Sequence, residues 1–197
     1  MARKQAADYE DKRRAIVDEA ARLFAEKGFA GASLADLAYA CDMSKSLFYH
    51  YYPSKEAILY AVMRGHMDDL LTAIDLSSEN RPEALHDFAR RLLRLYAGAA
   101  AKQKVLLYEL ANLPKTERDE IIAKERRLID HVEGMIAGAG AAPEQASDNA
   151  RGVARRKARA MLFFGMLNWT HTWLKPSGAV SRDDVADMAA DMALAAG

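Results

Sequence analysis

Lys45, Ser46, Tyr49, His50, Tyr51, Tyr52 and Lys55 fall within eleven consecutive positions. Each carries a hydrogen-bonding group, which suits a surface that meets base edges and phosphates. Cys41 with His50 offers a second chemistry, a thiol nucleophile beside a base. No third group is placed to orient the histidine, so a catalytic role is not assigned. Metal chemistry is not indicated either. The sequence has no H-E-x-x-H and no paired Cys/His spacing, and His66, His86, His131 and His171 are scattered. It also has no Gly-rich phosphate loop. An all-helical enzyme is the competing class, and nothing in the residue pattern supports it.

These groups sit in "SLADLAYACDMSKSLFYHYYPSKEAIL", Ser33 to Leu59, which reads as two very short helices back to back. Ser33 is placed as an N-cap, with Asp36 three residues later in a capping-box position. Leu34, Leu37 and Ala38 form the inner stripe of the first short helix. Cys41-Asp42-Met43 is the turn, and Asp42 is a residue that tolerates the left-handed conformation. Ser44 caps the next helix, whose expected inner face is Leu47, Phe48 and Tyr51. Pro53 ends it, because the residue before a proline is pushed out of helical geometry. Ser54 caps a long helix from Lys55 to about Leu76. Upstream, Ile16, Ala20, Leu23, Phe24 and Lys27 recur at helical spacing from about Asp8, with Gly28 as the C-cap.

Two short helices joined by a three- or four-residue turn make a helix-turn-helix, stable only when a further helix covers its apolar side. The helix from Asp8 to Lys27 is that cover. A helix as short as 44–52 fits the major groove, about 12 Å wide, and presents its outer face to base edges. Lys45, Ser46, Tyr49 and His50, with Tyr52 at the end, are the expected outward residues. Ser33 and Ser44 stand at helix N-termini, where backbone N–H groups favour a phosphate. Lys55 is placed as a further phosphate contact.

Composition narrows the class. The chain has 197 residues, 51% apolar and 28% charged, enough for a sizeable core and unlike a disordered segment. No apolar run approaches the roughly 20 residues of a membrane helix. The charged start "MARKQAADYEDKRR" has no h-region and gives no sign of export. The single cysteine fits a reducing compartment, so a cytoplasmic location is expected. Net charge is zero, so nucleic-acid binding rests on a few positioned contacts rather than a broad field. Arg3 and Lys4 form a candidate N-terminal arm.

The stretch "IVDEAARLFAEKGFAGAS" followed by "SLADLAYACDMSKSLFYHYYPSKEAIL" resembles the DNA-binding segment of the TetR/AcrR family of bacterial transcriptional regulators. The similarity covers the first quarter to third of the chain. It departs at two places. Asp42 stands where Gly is usual in the turn. Ser46-Leu47 stands where a Gly-Thr or similar pair is usual, which bears on base preference and leaves the docking mode intact. The resemblance implies an all-α protein with a three-helix DNA-binding domain, 1–54, and a helical-bundle ligand-binding and dimerisation domain, 55–197. It implies a homodimer on a palindromic double-stranded operator, with repression relieved by a small-molecule effector and no resident cofactor. The DNA-binding candidates are then Ser33, Ser44, Lys45, Ser46, Leu47, Tyr49, His50, Tyr51 and Lys55.

Beyond residue 76 the pattern stays helical. "SSENRP" reads as a loop, Pro82 to about Lys102 as one helix, "KVLLYELANL" as a short apolar helix ended by Pro114, and Lys115 to Ile136 as an amphipathic helix. "AGAGAAPEQASDN" reads as a loop or link. Arg155 to Trp173 and Ser181 to Ala195 are the last two helices, the latter with Val185, Met188, Ala189 and Met192 inward. An exposed "LFFGMLNW" face would be an aggregation hazard in a monomer, which also argues for a dimer. Ligand pockets in helical bundles are apolar with a few polar groups. The candidates are Phe88, Tyr96, Tyr108, His131, Phe163, Asn168 and Trp169. Arg151, Arg155, Arg156, Lys157 and Arg159 form a basic cluster. "FGMLNWTHTWLKPSG" resembles the same region of family members that respond to acyl-CoA thioesters of fatty-acid, steroid or aromatic-acid degradation. That similarity implies phosphate contacts from Arg155, Arg156 and Arg159. The alternative effector is a hydrophobic drug-like or free-acid ligand.

Overall fold

Serine caps and a few breakers divide the chain into helices. In a computed structural model, which describes residues 2–75, 83–139 and 150–195, nine α-helices and no strand are found among those residues. They are α1 (Ala2–Gly31), α2 (Leu34–Ala40), α3 (Lys45–Tyr51), α4 (Lys55–Asp75), α5 (Ala84–Gly98), α6 (Ala100–Glu109), α7 (Lys115–Gly138), α8 (Ala150–Trp173) and α9 (Arg182–Leu194). A 3-10 turn, Leu110–Asn112, follows α6. The loop expected at 77–82 and residues 140–149 of the second link lie outside the described residues, as do the side chains of Arg3 and Lys4. The single helix expected from Pro82 to Lys102 is two helices, parted at Ala99, whose backbone leaves helical geometry (φ −132°, ψ 40°). The preceding Gly98 is the one local sign of that break.

The chain forms two compact units. The first holds residues 1–68 and 99–122, the second 69–98 and 123–197, so their boundaries fall inside α4, between α5 and α6, and inside α7. In the first unit α1 packs along α6, and Lys102 of α6 meets Asp18 of α1 at 2.6 Å. Gly28 interrupts α1 at φ 73°, ψ 162°, a region essentially reserved for glycine, and lets Phe29 turn back onto Phe24. Ile16, Ala20, Phe24, Leu37, Phe48, Ile58 and Leu59 are fully buried here. Removing each large side chain from water contributes about 1.5–3 kcal/mol. His66 of α4 and Gln103 of α6, both buried, share a 2.7 Å hydrogen bond.

In the second unit α5 packs against α9, and α9 against α8. The inner face of α9 is Val185, Ala186, Ala189, Ala190 and Ala193. Met188 and Met192, expected inward, face outward instead. The alanines allow close approach, so the larger methionines are displaced to the other side. Along one edge a ladder of polar and charged pairs joins α5 and α9. His86 meets Asp191 at 2.8 Å, Arg90 meets Asp187 at 2.7 Å, and Arg94 meets Asp183 at 2.8 Å. Each set of three recurs every fourth residue, one helical turn apart.

Candidate nucleic-acid interface

The helix pair α2–α3 is fixed at every end by local chemistry. Ser33 caps α2 reciprocally. Asp36 N–H donates to Ser33 Oγ at 3.1 Å, and Ser33 N–H donates to Asp36 Oδ2 at 2.9 Å. The Ser33 hydroxyl, donating to Asp36 Oδ2 at 2.7 Å, and the Ser33 N–H together hold the Asp36 carboxyl below its ordinary value of 3.8. The C-terminus of α2 closes with Met43 N–H on Ala38 O (2.9 Å) and Asp42 N–H on Tyr39 O (3.0 Å). This is a Schellman motif with Asp42 at the left-handed position (φ 53°). Ser44 Oγ then accepts from Leu47 N–H at 3.2 Å to open α3.

Within α3, Phe48 is buried, and so is Tyr52 at its C-cap. Lys45, Ser46, Leu47 (44% exposed), Tyr49 (49%) and His50 face outward together. Three sequence expectations are corrected here. Leu47 is not a core residue, and Tyr51 is only half-buried. Tyr52, expected outward, is packed inside, with the Arg13 guanidinium over its ring at 5.0 Å. The inward stripe is therefore Phe48 and Tyr52, four residues apart, rather than 47, 48 and 51.

Lys55 is corrected as well. Its ammonium donates to Phe29 O at 2.7 Å and Ala32 O at 3.0 Å, and lies 4.1 Å from the Phe29 ring centroid. It ties the start of α4 to the end of α1 instead of reaching outward for a phosphate. Sequence reasoning missed Tyr9 of α1. Its ring stacks on Tyr51 (centroids 4.9 Å) and meets His50 edge-on (6.1 Å). It also missed Tyr39, which stands 88% exposed on α2. An open groove of about 520 Å³ between α1 and α2 is lined by Glu19, Arg22, Lys27, Asp36 and Tyr39 among others. Its charges are of both signs and are largely paired with one another. Cys41 is half-buried, and burial pushes its thiol up from its ordinary range, the reverse of an activated nucleophile.

The residues expected to line an effector pocket are not all brought together. Phe88 of α5, His131 of α7 and Phe163 of α8 converge, with Phe88 5.8 Å from the His131 ring and 6.5 Å from the Phe163 ring. Tyr96 is buried on α5, and Asn168 is half-buried on α8. Tyr108 belongs to the first unit and is 55% exposed. Trp169 is 61% exposed, one of a row with Leu162 and Trp173 on the outside of α8. Of the basic cluster, Arg159 is occupied: its guanidinium donates to the Ala195 carbonyl at 2.6 Å, closing the end of α9. Arg155 and Arg156 are half-buried, and Arg151 and Lys157 are exposed.

Comparison with known proteins matches both parts of this description. Residues 16–62 match the model of bacterial regulatory proteins of the tetR family, and residues 78–196 match the tetracyclin repressor-like C-terminal domain. A TetR-family transcriptional regulator from Bordetella parapertussis 12822 is similar in structure, with TM-score 0.81 and 35% identity, over 93% of this chain and 94% of that one. AibR, solved in complex with isovaleryl coenzyme A and operator DNA, is similar with TM-score 0.76 and 28% identity over 92% and 97%. The HTH-type transcriptional regulator YuxN of Bacillus subtilis (strain 168) is 31% identical over 131 residues, 64% of this chain and 45% of YuxN. The chain thus spans about half the length of that relative. With both domain models matched in sequence order and the helix-turn-helix in place at its N-terminal end, the chain belongs to the TetR family of transcriptional regulators, a family of regulators and not of enzymes.

Proposed function

We propose that this regulator is a ligand-responsive repressor that binds a palindromic operator as a homodimer and is released by a small molecule. Residues 1–54 take the DNA, and residues 55–197 take the effector and the second subunit. One observation carries the DNA reading. The outward face of α3 gathers Lys45, Ser46, Leu47, Tyr49 and His50, while Phe48 and Tyr52 anchor the helix from behind. A seven-residue helix held this way enters the major groove and offers hydrogen-bonding groups to base edges and phosphates. Homodimerisation is supported by the exposed apolar side chains Met161, Leu162, Trp169 and Trp173 of α8 and Met188 and Met192 of α9. Such a patch needs a partner.

For the effector we infer an acyl-CoA thioester. The likeness to AibR supports it, since that protein was solved with isovaleryl coenzyme A. An acyl chain suits the Phe88, His131 and Phe163 rings, and Arg155 and Arg156 are the candidate phosphate contacts.

The test begins with a duplex selected by the full chain from a random library. Affinity for it falls steeply with salt, the slope on log axes being about −0.9 per phosphate neutralised. Tyr49→Ala abolishes preference for the selected duplex and leaves the dimer intact by light scattering; unaltered affinity would refute the docking mode. Isovaleryl coenzyme A releases the duplex and raises Tm, whereas isovalerate and free coenzyme A do neither. Release by the free acid alone would favour the free-acid alternative.

A further inference from the structure

The N-terminal part of α1 reaches the C-terminal end of α3 through two residues one turn apart. Tyr9 lies on Tyr51, with ring planes 26° apart and centroids at 4.9 Å. Arg13 lies over Tyr52 at 5.0 Å. Positions 9 and 13 share one face of α1, so a single helix face holds two consecutive tyrosines of the helix-turn-helix. His50 completes the cluster. Its ring stands nearly perpendicular to both Tyr9 (81°, 6.1 Å) and Tyr51 (79°, 5.8 Å). His50 is thus an exposed side chain whose ring stands beside the stacked tyrosine pair, edge-to-face with both. Tyr51 is half-buried for the same reason.

We infer that Tyr9 is a positioning residue for operator recognition: by stacking on Tyr51 it sets the orientation of His50 and Tyr51 at the C-terminal end of the reading helix. This rests on the regulator reading above. Its physical content is pre-organisation. A side chain that keeps one rotamer before binding loses little entropy on contact with DNA, and a mobile one loses more. The ring is the agent, not the hydroxyl. Aromatic pairs carry an attraction beyond the area they bury, and phenylalanine retains it.

The experiment compares wild type, Tyr9→Phe, Tyr9→Leu and Tyr9→Ala in the full chain, each checked for unchanged dimer mass. In the DNA-free protein, the His50 ring-proton signals carry ring-current shifts from its two neighbours. Tyr9→Ala and Tyr9→Leu move those signals toward the free-histidine position, and Tyr9→Phe leaves them in place. Affinity for the selected duplex falls about 3- to 10-fold in the alanine and leucine variants. Affinity for a scrambled duplex of the same length holds within about twofold, and Tyr9→Phe restores the wild-type ratio. Unmoved His50 signals would overturn the inference. So would equal losses on both duplexes, which mark a merely structural role, or a Tyr9→Phe variant as weak as Tyr9→Ala. Failure of the wild type to select any duplex would overturn the regulator reading instead, and the DNA-free signals would still decide whether Tyr9 positions His50.

Discussion

Asp42 occupies a backbone position that glycine fills without strain. At φ 53° its Cβ crowds the following carbonyl, a cost of roughly 1–2 kcal/mol for an ordinary residue and less for aspartate. The two bonds of the Schellman motif hold it there. Asp42→Gly is therefore expected to raise stability by about 0.5 kcal/mol, net of the extra entropy glycine loses on folding. Denaturant midpoints measure that gain, and duplex affinity should be unchanged; a loss of stability would show that the aspartate carboxylate contributes to the turn. The turn was legible in the sequence because its constraint is local. Lys55 was not, because what fixes it lies elsewhere. The carbonyls of Phe29 and Ala32 are 26 and 23 residues away, and no spacing rule connects them to a lysine after a proline-serine pair. Arg159, held on the Ala195 carbonyl 36 residues away, is hidden from the sequence for the same reason.

Capped helix starts are more legible in this sequence than helix faces. Ser33, Ser44 and Ser54 all cap in the structure as expected, since a cap depends only on residues three positions apart; Ser181, not among the expected caps, does the same in a capping box with Asp184. Faces need several turns to declare a phase, and α3 has fewer than two. A stripe at 47, 48 and 51 and a stripe at 48 and 52 fit such a helix about equally well. Packing against α1 chose the second. In α9 the error was of another kind: hydrophobicity favoured Met188 and Met192 inward, but close approach to α5 and α8 selected alanines. The caps of α2 and α9 make a testable pair. Ser33 and Ser181 hold Asp36 and Asp184 below 3.8 through side-chain and backbone hydrogen bonds. A carboxyl whose folded value is lowered stabilises the fold fully above its unfolded value, and that contribution disappears as pH falls through the lowered one. Ser33→Ala is expected to cost about 1 kcal/mol at neutral pH and to flatten the acid limb of the stability profile below 3.8. Ser33→Asn should keep the cap, its carbonyl accepting from Asp36 N–H and its amide donating to the Asp36 carboxylate. If it keeps stability but loses duplex affinity, the hydroxyl also faces a phosphate.

For the whole molecule, the surface proposed to pair two subunits is the outer side of α8 and α9. Leu162, Trp169 and Trp173 recur along α8 at helical spacing and stay exposed although the chain has ample core. Trp169→Glu is expected to convert the proposed dimer to monomers in light scattering and to weaken duplex binding, because one subunit then reads only a half-site. A dimer that survives Trp169→Glu would place the interface elsewhere. Zero net charge adds to this: a monomer has little general attraction for DNA to fall back on. Behind that surface runs the ladder of His86, Arg90 and Arg94 against Asp191, Asp187 and Asp183. Its rungs repeat every four residues, about 6 Å along the helix axis. A displacement of α9 by part of a turn breaks all three together, whereas a full-turn slip brings two back into register. Like the teeth of a ratchet, the ladder favours one register of α9 on α5 over gradual drift, each partly exposed rung adding no more than about 1 kcal/mol.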